Sequence, residues 1–162
     1  MTWTELQGRL RATLRLLGDR CVLIVAAPAE AGGGYVQFLG LGAALEAEAS
    51  GPEFVDGPAR HTADDPIMLA AGWAAPSGPQ PNWTYRLVQP ALSGDMAALA
   101  QRCVVALRDV LHVPDPGLLG YRAWREPESQ PTGVTWSVEQ VAALDQGENP
   151  LPLPSLGLPH AA

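Results

Sequence analysis

Two short β-branched runs, Cys21–Ala27 and Tyr35–Leu39, stand on either side of Pro28–Gly34, a turn that ends in three consecutive Gly. That arrangement leaves the chain few ways to fold. Runs this short, joined by a Gly- and Pro-rich connection, pair as an antiparallel hairpin, because a parallel crossover needs a dozen or more residues. The next segment, Ala43–Ser50, is built of helix-favouring residues but alternates, with Leu45, Ala47 and Ala49 opposite Glu46, Glu48 and Ser50. Alternation is the pattern of a strand with one wet face, and Gly40–Gly42 is too short a link for anything but a second hairpin. A three-stranded antiparallel meander is therefore expected over 21–50.

Helical spacing brackets it. Trp3, Leu6, Leu10, Leu14 and Leu17 recur on one stripe, with Arg9, Arg11 and Arg15 off it. Thr2 and Glu5 have the spacing of a capping box, and Gly18 follows the stripe as a C-terminal stop. Asp64-Asp65-Pro66 reads as a cap followed by Pro at the first helical position of a short helix ending at Ala71. Asn82–Val88 alternates as a fourth strand. Ser93 or Asp95 then caps the longest helix, whose stripe is Met96, Leu99, Ala100, Cys103, Leu107, Val110 and Leu111. The expected order is α-β-β-β-α-β-α: an α+β fold with an antiparallel sheet and helices packed on one face.

Charge divides the chain into two parts. Residues 1–125 carry all ten Arg against twelve acids; residues 126–162 carry five acids, no base and six of the sixteen Pro. The expected organisation is a 1–125 α+β domain and a 126–162 acidic, Pro-rich extension, mostly non-regular, with a helical turn near Trp136–Val141. The segment Leu151–Leu158 is polyproline-like with apolar side chains, and either docks in a groove or hangs free. Within 1–20 no apolar stretch reaches signal-peptide length, and no run is long enough for a membrane span.

Several function classes are disfavoured. The chain has no Lys, which removes Schiff-base chemistry and the phosphate-loop Lys. A net charge of −7 argues against nucleic acid and anionic membrane as partners. Gly40-Leu-Gly42-Ala-Ala-Leu45 imitates a dinucleotide fingerprint, but Leu45 replaces its third Gly and no β-α-β repeat follows. No metal-ligand spacing links His61, His112 and His160, and no nucleophile motif surrounds any Ser, so no cofactor, metal or catalytic residue is expected. Glu46 and Glu48 would sit on one strand face ~6.6 Å apart. With Asp64 and His61 they make the alternative reading, a small-molecule binder or enzyme with a site assembled from scattered residues. Cys21 and Cys103 are too few for a disulfide framework; buried reduced thiols suit a cytoplasmic protein.

Five Trp remain. Trp3 belongs to the first helical stripe. Trp73, Trp83, Trp124 and Trp136 lie in or beside Pro-rich loops, where such residues cover a core edge or form a partner-binding surface. As candidate site residues these four stand for binding another polypeptide. A third alternative assigns the binding to the tail of an assembly subunit.

Tyr35-Val36-Gln37-Phe38, Glu46-Ala47-Glu48-Ala49-Ser50 with Phe54, Leu69-Ala70-Ala71-Gly72-Trp73 with Pro76, Asn82-Trp83 and the Ala-rich helix ending at Val113 together resemble the TY-Chap domain, over roughly residues 1–121. That family is similar to the YbjN proteins and to type III secretion chaperones. One departure is Gly51, where the pattern has Asn after Ser. The resemblance implies a secretion-chaperone-like α+β fold, a homodimer, and a non-enzymatic module that holds a partner polypeptide.

Overall fold

The computed structural model describes residues 1–161. Helix α1 (Trp3–Leu14) is followed by strands β1 (Cys21–Ala26), β2 (Tyr35–Gly40) and β3 (Ala44–Ala49). Helix α2 (Pro66–Ala70), β4 (Trp83–Val88), α3 (Ser93–Val105), β5 (Gly120–Arg125) and α4 (Val138–Ala142) complete the order. The five strands form one antiparallel sheet, β4-β3-β2-β1-β5. The class is the expected α+β arrangement with a chaperone-like antiparallel sheet; its strand count is one higher than the sequence reading.

Local chemistry explains the boundaries. Thr2 accepts from the Glu5 amide at 3.2 Å while Glu5 accepts from the Thr2 amide at 2.6 Å, closing the capping box of α1. Asp65 caps α2 through the Ile67 and Met68 amides at 2.9 and 3.1 Å. Helix α3 differs from expectation: it opens at Ser93 with no side-chain cap, and Asp95 lies in its first turn. Its last turn, Ala106–Val110, widens to a π-helical turn. Helix α4 is a single capped turn, Ser137 accepting from the Gln140 amide at 3.2 Å.

One face of the sheet is covered. Leu23, Val25, Val36, Phe38, Leu45, Ala47, Trp83, Leu87, Tyr121 and Ala123 join the stripes of α1 and α3 in one apolar cluster. The tail contributes Leu156 and Leu158 to that cluster and lies along β5, its 3₁₀ turn Pro154–Leu156 packed on α1. The opposite face of the sheet carries no helix from this core.

Candidate functional site

That opposite face can be read directly from the strand register. Trp124, Val22, Leu39, Glu46 and Arg86 form one row across β5, β1, β2, β3 and β4. Arg122, Ile24, Gln37, Glu48 and Thr84 form the next. Directly opposed side chains in such rows stand ~4.5–5.5 Å apart at Cβ, so each row is a continuous surface. The β5–β1–β2 end is apolar: Val22, Ile24, Leu39 and Trp124 are all half-exposed. The β3–β4 end is polar. Two adjoining depressions follow this gradient, one of about 220 Å³ floored by the apolar group and one of about 470 Å³ between Glu46, Glu48, Gln80, Thr84 and Arg86.

The carboxylates at the polar end are held, not free. Glu46 pairs with Arg86. Glu48 accepts from Gln37 Nε2 at 2.8 Å, Gln80 Nε2 at 3.2 Å and Asn82 Nδ2 at 2.7 Å. Asn82 is buried and its Oδ1 accepts from the Gly51 amide at 3.0 Å and the Tyr35 hydroxyl at 3.1 Å. Burial pushes the Tyr35 phenol above its ordinary value, against the opposing Asn82 hydrogen bond, so it stays a donor. Three neutral amides fixing one carboxylate make a rigid polar shelf at the end of the apolar strip.

The scattered-residue alternative does not converge. His61 takes the indole hydrogen bond of Trp83 on Nε2 at 3.1 Å, and its Nδ1 meets the Ala59 carbonyl at 3.0 Å. An indole nitrogen only donates, so Nε2 is the acceptor and Nδ1 carries the proton. His61 thus serves Trp83, on the covered side of the sheet, and Asp64 is exposed on the loop that carries His61. Among the described residues no three His, Cys, Asp or Glu cluster as a metal site. Burial pushes the Cys103 thiol far up, which makes it a poor nucleophile.

The four candidate Trp separate by burial. Trp73 and Trp83 are core residues, 3% and 0% exposed, so a partner cannot reach them in this conformation. Trp124 lies on the open sheet face, its indole nitrogen bonded to the Glu126 carboxylate. Trp136 is half-exposed beside α4. Sequence reasoning overlooked Val22, Ile24 and Leu39, which are outward-facing apolar residues of strands already recognised. Their alternation with Leu23, Phe38 and Cys21 was the available signal.

A family model described as T3SS (YopN, CesT) and YbjN peptide-binding chaperone 3, TY-Chap3, matches residues 1–125. The chain belongs to the TY-Chap3 family. No curated protein and no solved structure matches it. The TY-Chap3 match spans α1 to β5 and therefore includes every strand of the open face. None of its helices is long and apolar enough to cross a membrane, among the described residues.

One ion-pair cluster ties the tail, which lies beyond the TY-Chap3 match, to the sheet. Asp145 receives Arg125 Nε at 2.8 Å and Arg20 Nη2 at 3.0 Å. Arg20 holds φ at +59°, a left-handed conformation costing about 1–2 kcal/mol outside Gly. Its Nη1 also donates to the Glu126 carbonyl at 2.6 Å. The Arg125 hydrogen bond, then those of Gly147 and Arg20, hold the Asp145 carboxyl at about 2, below its ordinary 3.8. A depressed carboxylate pKa contributes stability that is present above the ordinary value and lost as pH falls through the folded one. The other charges around it are Asp19, Glu126, Glu128 and Glu148. We expect hydrogen exchange at the Arg125 and Glu148 amides to accelerate between pH 4 and pH 2, and Asp145→Asn to lack that step. Identical pH profiles for the two proteins would remove Asp145 as the latch.

Proposed function

We propose that this protein is a non-enzymatic, chaperone-like module that holds an extended segment of another polypeptide on the open face of its sheet. The observation that carries the reading is the strip of Val22, Ile24, Leu39 and Trp124, half-exposed, uncovered by any helix and ending at a rigid shelf of Glu48 and its amides. Exposed apolar strips on a sheet are suited to side chains of a bound chain, and the net charge of −7 favours clients that mix apolar with basic residues. Peptide binding is also what the family description names.

The test uses an immobilised library of fifteen-residue peptides. The expected result is retention of apolar, basic peptides by the natural protein and loss of at least about tenfold in affinity with Ile24→Asp or Leu39→Asp, equal to about 1.4 kcal/mol. Both substitutions fall at half-exposed positions, so thermal unfolding should change little. Unchanged retention by both variants would discard the open face as the site.

Support for the expected homodimer comes from β4. Thr84 exchanges backbone bonds with Ala74 on the outer side of β4, and the alternation of an antiparallel ladder turns the backbone groups of Arg86 and Val88 to that same side. The Arg86 and Val88 backbone groups on that side have no backbone partner among the described residues. An open strand edge pairs readily with a second copy. Sedimentation should give a dimer that Val88→Pro dissociates; a monomer at high concentration would refute it. Two buried free thiols, Cys21 and Cys103, support a reducing compartment such as the cytoplasm.

A further inference from the structure

The tail sits against the body as a bound peptide would. It leaves β5 at Glu126, just past the residues that match the family, and runs exposed through 127–135 before returning. From Glu148 onward it is joined to β5 main chain to main chain, antiparallel at Glu148 and parallel at His160, with the 3₁₀ turn Pro154–Leu156 between the two bridges. The Arg125 amide donates to Glu148 O at 2.8 Å and the Glu148 amide to Arg125 O at 3.0 Å. The Leu151 amide donates to Ala123 O at 2.8 Å, Tyr121 to Pro159 O at 2.9 Å and Ala161 to Tyr121 O at 2.7 Å. Two side chains anchor it. Leu156 and Leu158 enter the core cluster that also holds Leu10 of α1 and Tyr121. Ser155 meets the Thr13 hydroxyl at 3.1 Å, and the Leu153 amide donates to Tyr121 Oη at 3.0 Å.

Recognition of this kind draws affinity from backbone pairing and specificity from apolar residues placed to meet a few pockets. It also depends on a tether that is long, exposed and weakly packed, which is the kind of segment that opens locally. We propose that the seam between α1 and β5 is a groove for a leucine- and proline-rich segment of another polypeptide, that residues 148–161 fill it in cis, and that such a segment displaces them. The proposal rests on the peptide-binding reading and gives it a second location, on the far edge of the sheet from β4. Covalent attachment holds the tail at an effective concentration of order millimolar, so a competitor with micromolar intrinsic affinity is weakened about a thousandfold. Loosening the tail should restore that loss.

The probe is a fluorescent peptide with the sequence of residues 147–161, titrated into full-length protein and followed by anisotropy. The natural protein should bind it at least about a hundredfold more weakly than the Leu156→Ser, Leu158→Ser double variant, whose own tail no longer fills the pockets. Asp145→Asn, a change at the surface latch that leaves the core intact, should lie between them. A scrambled peptide should bind none of the three. Amide protection across β1–β4 checks that each variant is folded. Three results would overturn the proposal: folded variants that bind no better than the natural protein, equal binding of the scrambled peptide, or a dimer held by exchanged tails. The open-face reading is separate, since it stands or falls on Ile24→Asp and Leu39→Asp whatever the tail peptide does.

Discussion

Gly51→Ala should destabilise the protein by about 3 kcal/mol, lowering the midpoint of thermal unfolding by about 6–12 °C. The cause is space. Gly51 has φ −75°, a conformation any residue adopts. A Cβ there, however, would lie 1.7 Å from the Pro81 carbonyl oxygen and 2.8 Å from its carbon. These are backbone atoms of the segment that carries Asn82, and they cannot swing aside as a side-chain tip does. Moving them would also stretch the Gly51 amide to Asn82 Oδ1 bond and, through Asn82, the shelf around Glu48. Gly8→Ala is the control: nothing lies within 4 Å of a Cβ there and the site is helical, so it should stabilise by about 0.5–1 kcal/mol. Denaturant titration of both reads the contrast, and a Gly51→Ala protein as stable as the natural one would show that the β3–β4 junction yields freely.

Trp83→Ala should cost about 3–5 kcal/mol, the range for emptying a buried aromatic site. Its ring is fully buried and its nitrogen is paired with His61. Trp124→Ala should cost about 1 kcal/mol or less, because its ring is half-exposed, yet it should weaken peptide retention on the open face. Two Trp on opposite edge strands of one sheet thus separate stability from binding. If Trp83→Ala unfolds normally and Trp124→Ala leaves retention untouched, the assignment of core and surface is wrong.

The meander was legible because Leu45, Ala47 and Ala49 alternate with two Glu, and the α1 boundary because Thr2 and Glu5 announce themselves. Strand β5 was not. Gly120–Arg125 is six residues long, holds two Arg and follows a Pro-rich turn, so neither composition nor length separates it from a loop. Its Tyr121 and Ala123 point inward only because β1 lies beside them. Missing β5 also left the tail undecidable: Leu151–Leu158 has the same composition docked or free, and what decides is the strand edge waiting for it. The Pro residues around Trp73 and Trp83 point to a core edge or a partner-binding surface. The fold turns both inward, Trp83 at the first position of β4 and Trp73 against Tyr85, ring centroids 6.5 Å apart.

The two rims of the sheet are finished differently, one sealed by the chain itself and one bare for the length of Arg86 and Val88. Strand-by-strand growth therefore has a single direction. Two copies meeting bare rim to bare rim use up both, and a third finds nowhere to add, so assembly by this route closes at a pair instead of running on into a fibre. Peeling back the sealed rim would lift that stop by baring the backbone of β5 at Tyr121, Ala123 and Arg125.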